Sequence, residues 1–128
     1  MLFEQENAPP TKKPTWEEIE SALLAIHPKT RSFFVLSGRK SYVQVAGARL
    51  RLTIEYRVRK LFSHDHFRVG REPLSGEELS LNYSGGAITV RKSEVLTLED
   101  CLAVFRSFYE SEQVPGGYHL RRLDDSLR

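Results

Sequence analysis

The sequence predicts a single α+β domain: a mostly antiparallel sheet of five to six strands, with an N-terminal and a C-terminal helix packed on one face. Three observations predict it. Over 48–60 apolar and polar residues alternate one for one, so Leu50, Leu52, Ile54, Tyr56 and Val58 would point to one side of a long strand. Arg49, Arg51, Thr53, Glu55, Arg57 and Arg59 would point to the other. Two further segments repeat apolar residues at helical spacing, and several β-branched runs are separated by glycine turns.

Taken in order, residues 1–14 hold three prolines, mixed charge and no periodicity, which predicts a flexible N-terminal arm before a domain over 15–123. Thr15 and Glu18 have capping-box spacing, in which hydroxyl and carboxylate each satisfy an orphan backbone N–H. Trp16, Ile19, Leu23 and Ile26 then share one face, so a helix is predicted over 15–26, ended before Pro28, with Trp16 as a core anchor. Residues 32–36 and 41–46 read as a hairpin around 37–40, and Gly47-Ala48 turns the chain into the long strand, which gives a three-strand meander. A less regular piece over 61–69, with Phe62, Phe67 and Val69, offers a fourth strand, and 70–78 reads as a loop.

Residues 79–83 and 87–90 flank Ser84-Gly85-Gly86, a glycine pair able to take the positive φ angles of a tight hairpin. Thr97 and Asp100 repeat the N-cap spacing, and Leu98, Cys101, Leu102, Phe105, Phe108 and Tyr109 form a wide apolar stripe on a second helix over 98–110. Pro115-Gly116-Gly117 turns the chain, 118–123 returns as a short edge strand, and 124–128 is expected to fray. If both helices lie on one side, the arginine-bearing face of the sheet stays open.

With 128 residues, 40% hydrophobic and 28% charged, the chain fits one ordinary globular domain and has no apolar run long enough for a membrane-spanning helix. No basic-then-apolar leader opens it, so a cytoplasmic location is expected. The single cysteine, Cys101, excludes an internal disulfide, and its apolar neighbours predict inert core packing. The net charge of +2 conceals an uneven distribution, because 37–71 holds nine Lys or Arg against Glu55 and Asp65. The helical segments are acidic, through Glu17, Glu18 and Glu20 in the first and Glu94, Glu99, Asp100, Glu110 and Glu112 in or beside the second. A basic side and an acidic side follow.

His64 and His66 flank Asp65 and would share a strand face, but no third or fourth ligand has recognisable spacing, so no metal is assigned. No phosphate-binding glycine loop, nucleophile elbow or His-Glu-x-x-His pattern occurs, and Glu55 between arginines reads as a cross-strand ion-pair partner. No catalytic residue and no cofactor are assigned, and the chain is not expected to be an enzyme. A basic sheet face suits a nucleic-acid binder, yet the outward positions of the long strand offer arginines without stacking rings, and +2 is low for that role. A small nucleic-acid-binding or regulatory module is the alternative to a protein-binding one.

At 41–47 (SYVQVAG), 52–57 (LTIEYR), 81–90 (LNYSGGAITV), 96–110 (LTLEDCLAVFRSFYE) and 115–123 (PGGYHLRRL) the chain resembles immunity proteins of bacterial polymorphic toxin systems. The particular likeness is to the first-numbered family of such immunity proteins, often paired with deaminase-type toxins. It covers residues 15–123 and is carried by structural features: a tryptophan in the first helix, a glycine turn, an acidic-then-aromatic last helix and a proline-glycine turn. The resemblance implies a cytoplasmic protein that binds a cognate toxin domain and blocks its active site, with no chemistry of its own; a monomer or weak dimer is expected. Charge then offers two docking surfaces. One is the arginine face, with Arg49, Arg51, Glu55, Arg57 and Arg59, against an acidic toxin surface; the other is Glu110 and Glu112, with the 110–118 loop and Tyr118, against a basic cleft.

Overall fold

The computed structural model describes residues 1–71 and 77–123. Among them the elements run β1 (Leu2–Gln5), β2 (Thr11–Lys12), α1 (Trp16–Leu24), β3 (Phe33–Ser37), β4 (Ser41–Ala48), β5 (Arg51–Arg59), β6 (His64–Arg71), β7 (Glu78–Tyr83), β8 (Gly86–Arg91), a 3-10 turn (Lys92–Glu94), α2 (Leu98–Ser111) and β9 (Tyr118–Arg122). Seven strands form one antiparallel sheet in the order β2-β1-β3-β4-β5-β6-β9, and β7 pairs with β8 alone. The α+β, antiparallel class is as expected, whereas the count of five to six strands is corrected to seven in the main sheet. No described helix is long and apolar enough to cross a membrane.

The N-terminal segment, expected as a flexible arm, carries the two short strands β1 and β2. Leu2 and Phe3 supply enough apolar surface for a strand beside β3, in register Phe3↔Leu36, and the buried Phe3 ring stacks on Phe34 at 6.0 Å. Pro9 and Pro10 lie between β1 and β2, where no ladder N–H is required. Both capping boxes form: Thr15 N–H donates to Glu18 Oε1 at 2.9 Å and Glu18 N–H to Thr15 Oγ1 at 3.1 Å, while Thr97 N–H donates to Asp100 Oδ2 at 3.0 Å. Each box is worth roughly 1 kcal/mol. The helices differ from expectation at their ends, α1 stopping at Leu24 and α2 reaching Ser111.

Phe34, Leu36, Val43, Val45, Leu52, Ile54 and Val69 from the sheet join Trp16, Ile19 and Leu23 of α1 and Cys101, Val104, Phe105 and Phe108 of α2 in one buried cluster. At about 1.5–3 kcal/mol for each fully buried apolar side chain, this cluster is the main source of stability. Burial, with the Asp100 charge second, pushes the Cys101 thiol far above its ordinary range, so it packs as an apolar group. α2 is launched from the sheet itself, since Leu52 and Leu96 exchange backbone hydrogen bonds of 3.0 and 2.8 Å.

Two expectations about the long strand are corrected. Arg49 and Leu50 form the turn between β4 and β5, and Leu50 is 77% exposed instead of facing the core. Alternation continues unbroken across a tight hairpin, so the pattern hides the turn. Gly47 permits that turn: its φ is +130°, and a Cβ there would lie 2.4 Å from the Arg51 carbonyl oxygen.

Nor does the arginine face stay fully open. The same face carries Phe33, Ala46 and Thr53, and the β7–β8 hairpin covers that apolar end. Tyr83 meets Phe33 edge-on at 6.4 Å, Ser84 N–H donates to Ser32 Oγ at 3.0 Å, and Leu81 and Val90 are buried outside the helix-side cluster. Of the loop expected over 70–78, Gly70 and Arg71 belong to β6 and Glu78 to β7, while 72–76, like the tail 124–128, lie outside the described residues.

The far end of the sheet is clamped by Glu112. It ends α2 in the left-handed conformation, φ 58°, and its Oε1 accepts from Arg39 N–H at 2.9 Å. A Cβ on Gly38 would fall 2.1 Å from that oxygen. That oxygen is the end of a flexible side chain, so Gly38→Ala is expected to push the carboxylate aside and cost about 1 kcal/mol in urea unfolding through its lost hydrogen bonds. Adding Glu112→Ala removes the clash, so the double variant should lose less than the sum of the two single losses; strict additivity would contradict the clamp.

Candidate partner-binding groove

The face opposite the helices divides into two zones. At the covered end Glu94 has no exposed surface, and Arg121 reaches it from β9 through Nε at 2.7 Å and Nη2 at 2.9 Å. Arg91 N–H donates to the same carboxylate at 2.9 Å. Gly70 makes room, since a Cβ there would stand 3.1 Å from Glu94 Cγ. Next to it Arg68 donates to Thr53 Oγ1 at 3.0 Å and Glu55 Oε1 at 3.1 Å, and His66 Nε2 lies 2.8 Å from Glu55 Oε2. Burial pushes the Glu94 carboxyl up, but the Arg121 and Arg91 hydrogen bonds and the Arg121 and Arg68 charges outweigh it and hold the group below its ordinary 4.5. Burial works against the Arg68 cation, opposed by Glu55 and Glu94.

At the uncovered end, charge is left facing solvent. Register places Tyr42 opposite Arg57 and Arg59 opposite His64, and Arg59 N–H donates to the Lys40 carbonyl at 2.6 Å, drawing the β3–β4 turn alongside. The result is a groove of about 320 Å³ lined by Arg39, Lys40, Tyr42, Arg57, Arg59 and His64. Among the described residues the side chains of Arg39, Lys40 and Arg59 form no ion pair with a carboxylate. Beside the groove projects the β5–β6 turn, whose tip residues Leu61 and Phe62 are 87% and 93% exposed. Its base is tied by Asp65, which meets Lys60 Nζ at 2.6 Å and Arg122 Nη1 at 2.8 Å; hydrogen bonds from Arg122 and then Lys60 lower the Asp65 carboxyl pKa.

The candidate residues scatter accordingly. Arg57 and Arg59 enter the groove, while Arg51 lies exposed at the opposite end of β5 and Arg49 binds the Leu24 carbonyl there at 2.8 Å. Glu55 belongs to the inner network. Glu110 pairs with Arg106 at 3.2 Å along α2, and Glu112 is taken up by the Gly38 turn. Tyr118 donates to Asp100 Oδ1 at 2.9 Å, and its phenol is pushed up to about 12 by burial and by that carboxylate. Of the two alternative surfaces offered by charge, the acidic one has Glu112 and Tyr118 engaged within the fold and Glu110 exposed in a surface pair with Arg106. His64 faces the groove whereas His66 is buried on Glu55, and among the described residues no group of three or more His, Cys, Asp or Glu is arranged to hold a metal. Sequence reasoning missed Arg39, Lys40, Tyr42, Leu61 and Phe62; the available signal was two large apolar residues at a turn between alternating strands.

The chain matches no protein-family profile and no curated protein sequence.

Breaking the inner network gives a direct check. Glu94→Gln leaves Arg121 without its ion-pair partner and Arg68 with Glu55 alone, and is expected to cost about 3 kcal/mol at neutral pH. Asp100 is likewise held low: burial pushes its carboxyl up, but hydrogen bonds from Thr97, Tyr118 and Arg71 prevail. Because both folded values lie below the ordinary 4.5 and 3.8, their stabilisation is complete above those values and is lost as pH falls through the folded ones. Thermal denaturation should therefore show a falling Tm on acidification below about pH 4.5, with a shallower fall in Glu94→Gln; identical slopes would exclude Glu94 as a contributor.

Proposed function

We propose that this chain is a protein-binding module that neutralises a cognate bacterial toxin domain by covering it, in the cytoplasm and as a monomer or weak dimer, with neither catalysis nor a cofactor of its own. The observation that carries the reading is the groove at the uncovered end of the sheet, where cations from the β3–β4 turn and from β5 line an open surface beside a projecting apolar tip. The resemblance to immunity proteins supplies the kind of partner. Of the acidic candidates, Glu112 already satisfies donors of the Gly38 turn and Glu110 is paired with Arg106 along α2, which favours the basic surface.

Magnitudes assign the groove its task. An exposed ion pair contributes only about 0–1 kcal/mol at equilibrium, yet a clustered field raises association rates by roughly 10–1000-fold. The groove steers and orients an acidic protein surface, and tight holding comes from apolar contact. Tyr42, a ring among cations, is the feature that favours the nucleic-acid alternative.

The test is binding to the C-terminal domain of the polypeptide encoded by the adjacent reading frame. A one-to-one complex and protection of growth are expected. Lys40→Glu with Arg59→Glu, both exposed positions, should lower the association rate about tenfold at low salt, a difference that closes as salt is raised, while Glu110→Lys should not slow it. An unchanged rate in the Lys40/Arg59 variant, or tighter binding to a single-stranded or duplex oligonucleotide than to the domain, would defeat the proposal.

A further inference from the structure

We infer that Leu61 and Phe62 are the apolar anchor of this docking surface, seated in a carboxylate-rimmed apolar pocket of the partner protein; the inference rests on the protein-binding reading above. Nothing inside the fold accounts for the pair. Lys60 N–H donates to the Ser63 carbonyl at 2.8 Å, which closes a two-residue loop around the pair. Neither residue is among the described non-glycine positions with positive φ, so no special backbone angle selects them either. They bury almost nothing, at 87% and 93% exposed, in a chain whose other large apolar side chains are mostly enclosed. Single exposed apolar residues are ordinary, but two adjacent ones at the apex of a tight turn form a convex probe.

The surroundings define what the probe fits. The turn is held by the Arg59↔His64 pair and, at its base, by Asp65 between Lys60 and Arg122, so little conformational freedom remains to be lost on binding. Of the cations on and beside this turn, Lys60 and Arg122 are paired with Asp65, whereas Arg59 and Lys40 line the groove with no ion pair among the described residues, so the charge left over is positive. A complementary site is therefore greasy at its centre and acidic at its rim. Relief separates the classes of partner: a convex tip beside a concave groove of about 320 Å³ calls for a surface with matching relief, which a protein presents. A bilayer would take the tip and leave the groove unfilled, and a nucleic acid would repeat the phosphate contacts without an apolar socket.

The experiment compares the full chain with its Leu61→Ser/Phe62→Ser variant against the purified toxin domain from the adjacent reading frame, with vesicles of phosphatidylserine and phosphatidylcholine in parallel. The variant is expected to dissociate at least about 30-fold faster with an unchanged salt dependence, and to melt within about 2 °C of the parent. A complex that dissociates like the parent's would overturn the anchor while leaving the module reading intact. A melting point lowered by more than about 5 °C would make the pair a folding element and also overturn the anchor. Absence of any complex with the parent chain would sink the module reading and the anchor together. Vesicle binding that the variant loses, in place of a protein complex, would overturn it in favour of a lipid surface.

Discussion

Glu94 is a carboxylate with no exposed surface, and keeping it ionised constrains one whole side of the sheet. An unpaired charge in that position would cost several kcal/mol, so two guanidinium donors of Arg121 and a backbone N–H must reach it together. That requirement places β9 at the sheet edge, keeps a glycine at position 70 in β6, and fixes where the chain stands after β8. From there it passes within bridging distance of Leu52 and enters α2 on the other face. The hairpin that delivers Glu94 covers only the end of the sheet where Phe33 and Ala46 need cover. The remaining end keeps its cations in water, and the groove results from where the cover stops.

Charges that look alike in sequence are thus sorted by what stands over them. Asp100 caps α2, accepts from Tyr118 and binds Arg71, so it joins the last helix to two strands at once. Asp65 makes two ion pairs as well, but at the surface, where such pairs contribute little. Arg68 and Arg59 lie on the same face of neighbouring strands, one buried against Glu55 and Thr53, the other lining an open groove. A charge count over 37–71 gathers all of these into a single basic patch, although Arg68 is buried and the exposed cations are split between the groove and the opposite end of β5.

Much of the architecture was legible because local rules and tertiary packing agree. The two capping boxes, the helical stripes, the β3–β4–β5 meander and the glycine hairpin each follow from residue type and spacing. The N-terminal strands were hidden because residues 1–3 are only a short apolar run ahead of charges and prolines, and pairing with β3 is a long-range gain that composition does not display. Leu50 was misplaced because a hairpin preserves the alternation that a strand shows. The second cover was hidden for a different reason: Phe33 and Ala46 come to share a face with the arginines of β5 only once β3, β4 and β5 pair, and that apolar pair needs shielding from water. Of the site, Arg57 and Arg59 were readable from alternation; Lys40, Tyr42 and the exposed turn required knowing which strands lie side by side.

Cys101 sits wholly enclosed between α2 and the sheet, with its thiol strongly disfavoured from ionising. Alkylating reagents attack the thiolate, so the native molecule is inert to them until the helix lifts away from the sheet. The chain therefore carries its own built-in stopwatch: the rate at which this sulfur becomes modified under mild conditions counts opening events of the central core, with no added probe and no other thiol to confuse the signal.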